Sequence, residues 1–361
     1  MKPRVLVTFD SMRYANTGLH TFGQSLGHEL ARQGGAEFDL HAYVYPVNLG
    51  FLGTAARYVK HNMLDRYWFA RARRYDLVHF SDQYCRFGPA RARGPSILTV
   101  TDLNQLHELP ADSPRLAKYM GRMRERIGAA TRIVTISHFV AEDVVRHFPE
   151  AAGKISVIYC GTNFTRAPAG HRPQYEPRQP FLFTIGMVCE KKNFHVLVPL
   201  LQGNAMQLVI AGIVKEGYRD RIMAAAREHG VAERVIITGP VSTHDKNWYY
   251  AHCHAFLFPS LAEGFGLPVL EAMHHGKPVF LSTSTSLPEV GGDAAYYFEN
   301  FEPASMRAAL AAGLADFAVS GGAARARARA AGFTWENAAR DYLALYRALL
   351  APRLSPGAAT V

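Results

Sequence analysis

The stretch Pro259-Ser260-Leu261-Ala262-Glu263-Gly264-Phe265-Gly266-Leu267-Pro268-Val269-Leu270-Glu271-Ala272-Met273 follows an apolar run at 255–258 and opens a helical pattern. That order is strand, glycine loop, helix. Gly264 and Gly266 let the backbone come close to a ligand, and Pro268 suits a first helical turn. The amides of the helix start, with the helix dipole, make an anion site at the carboxyl edge of a parallel sheet. A phosphate fits there. Glu263 on the loop and Glu271 one turn into the helix would be repelled by it, so they are better placed to accept hydrogen bonds from hydroxyls on either side. A hexose, a diphosphate and a ribose in series, as in a nucleotide sugar, present that arrangement. The alternative is an ordinary βα loop whose acidic residues complement the helix dipole. His274-His275-Gly276 with Pro278 beyond reads as the end of this helix.

Outward from this segment, short apolar runs alternate with helical patterns, the sign of parallel sheets wound by crossover helices. The first series of predicted strands lies at 4–9, 38–45, 76–81, 97–101, 132–136 and 155–159. The second lies at 181–185, 207–211, 235–238, 255–258, 279–282 and 294–298. Between them, residues 162–180 hold four prolines and no apolar periodicity, which predicts an interdomain linker. The expected fold is α/β, with two Rossmann-like doubly wound parallel-sheet domains. The domains are placed at 1–165 and 181–333, with the linker proper at 166–180. A closing helix over 334–350, started by Thr334 and Asn337 in a capping-box spacing, presents Ala338, Tyr342, Leu345, Tyr346 and Leu349 on its apolar face. The tail 351–361 reads as frayed.

A chain of 361 residues with 48% apolar and 19% charged residues suits two soluble globular domains. It has no apolar run long enough for a bilayer span. The start, Met1-Lys2-Pro3-Arg4-Val5-Leu6-Val7-Thr8-Phe9-Asp10, reads as a strand and not as a signal peptide. Cys85, Cys160, Cys189 and Cys253 lack ligand or CxxC spacing, which points to reduced thiols in a cytoplasmic protein without structural zinc. The net charge of +10 is concentrated between Arg57 and Arg126, where fourteen basic residues face seven acidic ones. Residues 54–75, basic and aromatic through Tyr58, Tyr67, Trp68 and Phe69, fit peripheral contact with an anionic membrane. They fit equally a helix covering the first domain with a solvated basic face.

Residues 258–289 resemble the signature of the retaining GT-B glycosyltransferases of family 4: proline-serine, an E-G-F-G-L-P loop, a second glutamate and a G-x-P-V turn. The resemblance implies that Glu263 faces the donor sugar and Glu271 binds the ribose. It implies too that the backbone of Gly264, Phe265, Gly266 and Leu267 holds sugar and phosphate oxygens. Gly186-Met187-Val188-Cys189-Glu190-Lys191-Lys192-Asn193 is similar to the family's glycine turn opening a helix. Lys191 and Lys192 there would neutralise the diphosphate, and Met187 stands where some relatives carry arginine. In the first domain, Asp10–Gly18 corresponds to the family's glycine-rich loop with Gly18 alone retained and Thr17 as helix cap. A plain βα turn explains it as well. Asp102, in Thr101-Asp102-Leu103-Asn104, stands where relatives show His-Asp and is the candidate for contact with the acceptor hydroxyl or reacting sugar, with His107 nearby and a capping aspartate as the alternative. Ser137-His138-Phe139 resembles a structural helix start. Gly239-Pro240-Val241 lies where relatives bring backbone against the nucleobase. The end, Phe333-Thr334-Trp335-Glu336 and its helix, resembles the GT-B closing helix that crosses back to the first domain.

The expected activity is retaining transfer of a hexose from a nucleotide diphosphate sugar, GDP-mannose preferred, to a glycan or lipid-linked acceptor in surface-polysaccharide assembly. No cofactor and no metal are expected, since no DxD site is evident, and no nucleic-acid partner. A dinucleotide oxidoreductase would need a GxGxxG after a first-domain strand, and none is present. A non-catalytic nucleotide-sugar or polyanion binder is the alternative function. Its positive charge would be explained, but it would not require Glu263 and Glu271.

Overall fold

The computed structural model describes residues 1–14, 17–66 and 74–354. The chain divides into two compact units, Met1–Gly161 with Thr334–Val361, and Thr162–Phe333. The first unit contains β1 (Arg4–Thr8), β2 (Asp39–Val44), β3 (Arg57–Lys60), β4 (Leu77–Phe80), β5 (Ser96–Val100), β6 (Arg132–Thr135) and β7 (Ile155–Val157). These pair in the order β3-β2-β1-β4-β5-β6-β7, every pair parallel. Its helices before the unit boundary include α1 (Gly18–Gly34), α2 (Gln105–Glu108), α3 (Pro114–Ala129) and α4 (His138–His147).

The second unit contains β8 (Phe181–Ile185), β9 (Gln207–Ala211), β10 (Val235–Gly239), β11 (Ala255–Phe258), β12 (Val279–Ser282) and β13 (Tyr296–Phe298). They form a second parallel sheet in the order β10-β9-β8-β11-β12-β13. Its helices are α5 (Tyr218–Glu228), α6 (Thr243–His252), α7 (Leu267–His274), α8 (Leu287–Gly291), α9 (Pro303–Val319) and α10 (Gly322–Ala331). In each sheet the strand order reverses once, between β1 and β4 and between β8 and β11. Loops leaving the carboxyl ends of adjacent strands diverge at these two points, which is where open α/β sheets bind ligands.

Local chemistry starts the helices where the residues demand. Thr17, Ser113 and Ser137 place a side-chain oxygen on free amides of α1, α3 and α4. Thr334 Oγ1 accepts from the Asn337 amide at 3.1 Å, and α11 (Trp335–Leu354) follows it. The central strands are buried on both faces, so they read as continuous apolar runs.

Five expectations are corrected. The expected linker does not stand apart: the second unit begins at Thr162, and His171, Gln174 and Tyr175 bond to Asp245, Thr238 and Tyr249 within it. Part of the segment 54–75 is the edge strand β3, not helix, while the expectations for Tyr67, Trp68 and Phe69 lie outside the described residues. The turn at Lys191-Lys192 opens 3-10 helices, Glu190–Lys192 and Phe194–Leu201, and Pro199 denies the second an α-helical continuation. Helix α11 extends to Leu354, beyond the expected end. Its buried face is Ala338, Ala339, Tyr342, Leu343, Tyr346 and Leu350, with Leu345 and Leu349 at the margin.

Helix α11 docks on α1 within the first unit and is tied to the sheet by buried hydroxyls. His79 on β4 lies 2.7 Å (Nδ1) from the Tyr346 hydroxyl and 3.1 Å (Nε2) from Thr99 Oγ1. Thr99 in turn lies 2.9 Å from the Tyr342 hydroxyl. Among the described residues, no helix is long and apolar enough to cross a membrane.

Candidate active site

At the β8/β11 reversal the two loops singled out in the sequence meet. The chain leaves β8 through Gly186, at φ +150°, and leaves β9 through Gly212, at φ +134°. A Cβ on Gly212 would fall 1.8 Å from the Gly186 carbonyl oxygen, so only glycine allows these loops to cross. A Cβ on Gly186 would lie 3.2 Å from Lys192 Cε, so the bare glycine leaves room for the lysine stem. Asn193 takes the left-handed conformation, φ 57°, and turns the chain after Lys192.

The two lysines differ. Lys192 is buried, its ammonium bonded to Glu263 Oε1 and 4.6 Å from the centre of the Phe258 ring. Lys191 is more exposed, and its carbonyl accepts from the Leu261 amide at 2.8 Å, joining this turn to the loop after β11. That loop reaches α7 through Gly266 at φ +109°, with Pro268 in the first turn. Phe265 is buried against Phe333, ring centres 5.8 Å apart. Gly264, Phe265, Gly266 and Leu267 therefore lead into the amino end of α7, between Glu263 and Glu271. Glu271 Oε1 accepts from the Lys246 ammonium at 2.6 Å, and Oε2 accepts from the Tyr250 hydroxyl at 2.9 Å. Two lysine–carboxylate pairs thus flank the first turn of α7. Val241 sits, half-buried, in the loop from β10 to α6.

Sequence reasoning missed the residues that hold these carboxylates in place. Lys246 and Tyr250 lie one turn apart on α6, whose own acid, Asp245, bonds to His171 instead. Thr285 Oγ1 accepts from the Glu263 amide at 3.0 Å and sits at φ 55°, a strained position for a β-branched residue. Ser286 Oγ lies 3.0 Å from the carbonyls of both Glu263 and Phe265 and donates to one at a time. The only sequence signal was the Ser284-Thr285-Ser286 run. Tyr250→Phe keeps the buried ring and removes the hydroxyl that donates to Glu271 Oε2, so stability should fall by about 1 kcal/mol. Denaturant titration of the variant checks this, and unchanged stability refutes it.

The remaining candidates belong to the first unit. Asp102 Oδ1 accepts from the Asn104 amide at 3.1 Å, the bond of a turn-capping aspartate. Its carbonyl accepts from Gln83, whose Oε1 also takes the amide and hydroxyl of Thr101. Gly18 is the first residue of α1, with nothing within 4 Å of where a Cβ would stand, so space does not require glycine there.

The fold is GT-B: the chain superposes on sucrose-phosphate synthase from Thermosynechococcus elongatus with TM-score 0.73 at 20% identity, over 98% of this chain and 100% of that one. Anabaena HepE in complex with UDP and glucose aligns with TM-score 0.70 at 16% identity, over 96% and 100% of the two chains. Residues 171–331 match the family model described as Glycosyl transferases group 1, and residues 20–166 the one described as Glycosyltransferase Family 4. These matches support a group 1 glycosyltransferase. The O-antigen chain mannosyltransferase B of Escherichia coli is 32% identical over 64% of this chain. The match spans 65% of that relative, just under two thirds of its length.

Proposed function

We propose that this chain transfers a hexose, mannose from GDP-mannose, with retention of configuration, to a glycan or lipid-linked acceptor in surface-polysaccharide assembly in the cytoplasm. The observation that carries the reading is the placing of Lys192–Glu263 and Lys246–Glu271 on either side of the amino end of α7. An ammonium has three hydrogens, and Glu263 takes one of those of Lys192, so the same group can still donate to a diphosphate. As the sugar–phosphate bond breaks, negative charge grows on the diphosphate, and Lys192 with the α7 dipole stabilises it. Glu263 faces the sugar and Glu271 the ribose. The departing diphosphate oxygen takes the acceptor proton on the face it leaves, which retains the configuration. The O-antigen mannosyltransferase relative supports the sugar and the pathway class. The neighbour solved with UDP and glucose supports a nucleotide-sugar donor.

A panel of GDP-, UDP- and dTDP-sugars in a thermal-shift experiment identifies the donor, because a ligand of the native state raises its melting temperature. Glu271→Ala should then lose that shift while remaining folded. A variant with the wild-type shift would overturn the site. Metal independence follows from the lysines carrying the charge, and transfer should survive exhaustive EDTA treatment.

A further inference from the structure

In the first unit the strand order reverses between β1 and β4. Side chains from the loops after β1, β2, β3 and β4 meet beside that point: Arg13, Tyr45, His61 and Arg86. The Arg13 guanidinium lies 5.1 Å from the centre of the Tyr45 ring. The His61 imidazole stacks on the same ring at 3.9 Å and 17°. Arg86 Nε donates to the Tyr45 hydroxyl at 3.3 Å. One tyrosine therefore gathers two guanidinium groups and an imidazole.

Among the described residues, the arginines that form ion pairs do not include Arg13 or Arg86. His61 Nε2 is buried and has no hydrogen-bond partner among them. Burial and the nearby Arg86 and Arg13, opposed by Asp65, lower the pKa of His61. Two carboxyls, Asp65 and Asp10, face the cluster. Asp65 accepts from the Tyr43 hydroxyl at 2.9 Å and the Asn62 amide at 2.7 Å. Asp10 accepts from the Arg86 amide at 3.2 Å, and burial and Asp82 push its pKa up to about 7, so it carries only part of a charge at neutral pH.

We propose that Arg13, Tyr45, His61 and Arg86 form a binding site for a phosphate or diphosphate group carried by the acceptor. Guanidinium groups present paired donors that match phosphate oxygens, and the site lies at the carboxyl edge of the sheet, where α/β folds take ligands. The same loops carry exposed apolar side chains next in sequence, Val47 and Leu49 after Tyr45, and Met63 and Leu64 after His61. That composition suits a phosphate joined to a lipid, while a soluble sugar phosphate offers the same anion. The assignment to the acceptor rests on the glycosyltransferase reading; anion binding by the cluster does not.

Calorimetric titration of the full chain with inorganic pyrophosphate, and separately with GDP, tests the site. Arg13→Gln/Arg86→Gln should weaken pyrophosphate binding at one site by about tenfold or more and leave GDP binding unchanged. Tyr45→Phe, which keeps the ring, should show a smaller loss. Equal pyrophosphate binding in wild type and both variants overturns the proposal. In transfer assays, the double variant should raise KM for phosphorylated acceptors and not for the neutral glycan. A rise with both a lipid diphosphate acceptor and a sugar phosphate assigns the site to phosphate itself, and a rise confined to the former assigns it to the lipid-linked species. An unchanged KM for all acceptors overturns the acceptor assignment. Lost pyrophosphate binding in a protein that transfers no sugar would leave the anion site standing and refute the function.

Discussion

Lys192→Ala is expected to lower the rate of sugar transfer by about a thousandfold, with a smaller effect on the affinity for the nucleotide alone. In the proposed mechanism the ammonium would meet charge that develops as the sugar–phosphate bond breaks, and removing one such preorganised donor typically costs about 10²–10³ in rate. The variant should also be less stable. Lys192 and Glu263 side chains are only 11% and 13% exposed, and removing one member of a buried pair leaves the other without its counter-charge, at a cost of about 3–5 kcal/mol. These two losses can be separated. Lys192→Met/Glu263→Gln removes both charges, keeps similar volume and should recover much of the melting temperature while activity stays lost. Recovery of activity together with stability would show that Lys192 serves only to hold the loop. Lys191→Ala should be milder, since the more exposed Lys191 joins the loops through its backbone carbonyl.

The ease of reading the second unit has a physical cause. Four of its six strands begin and end at the residues expected from apolar runs alone, because strands buried on both faces tolerate few polar residues. Glycine positions were legible for the same kind of reason. Gly186 and Gly266 adopt backbone conformations that few other residues take. What escaped were contacts made by folding. Lys246 and Tyr250 are 25 and 21 residues from Glu271 in sequence, and no periodicity links them. Strand β3 was hidden because Arg57-Tyr58-Val59-Lys60 begins and ends with a charge, as an edge strand exposed to solvent allows. The segment 162–180 was misread because prolines exclude a sheet but do not prevent the His171 side chain and the Tyr175 backbone from anchoring to a neighbouring helix. Asp102 shows the converse hazard: an acid at a strand's carboxyl end is as well suited to capping its own turn as to catalysis.

Between pH 7 and pH 4.5 the contributions of His79 and Asp10 to the stability of the first unit are expected to oppose one another. Burial lowers the pKa of His79 from 6.5 to about 3. The unfolded chain therefore takes up a proton below pH 6.5 that the native state refuses, and native stability falls by about 1.4 kcal/mol per pH unit down to that value. Asp10 has the opposite sign. Its native pKa is raised from 3.8 to about 7, so the folded protein holds a proton the unfolded chain releases. That contribution is full below pH 3.8 and is lost as pH rises through 7. Over two pH units each amounts to about 3 kcal/mol. Single variants should separate them in denaturant titrations of the full chain. His79→Gln loses a fixed amount through its disturbed hydroxyl network, about 1–3 kcal/mol, yet its deficit relative to wild type should shrink by about 3 kcal/mol from pH 6.5 to 4.5. Asp10→Asn should instead lose stability relative to wild type over the same interval. A His79→Gln deficit that does not vary with pH would mean that His79 protonates without opening the network that joins α11 to β4 and β5. The histidine would then be a replaceable filler and not the neutral hydrogen-bonding link that secures the closing helix to the first sheet.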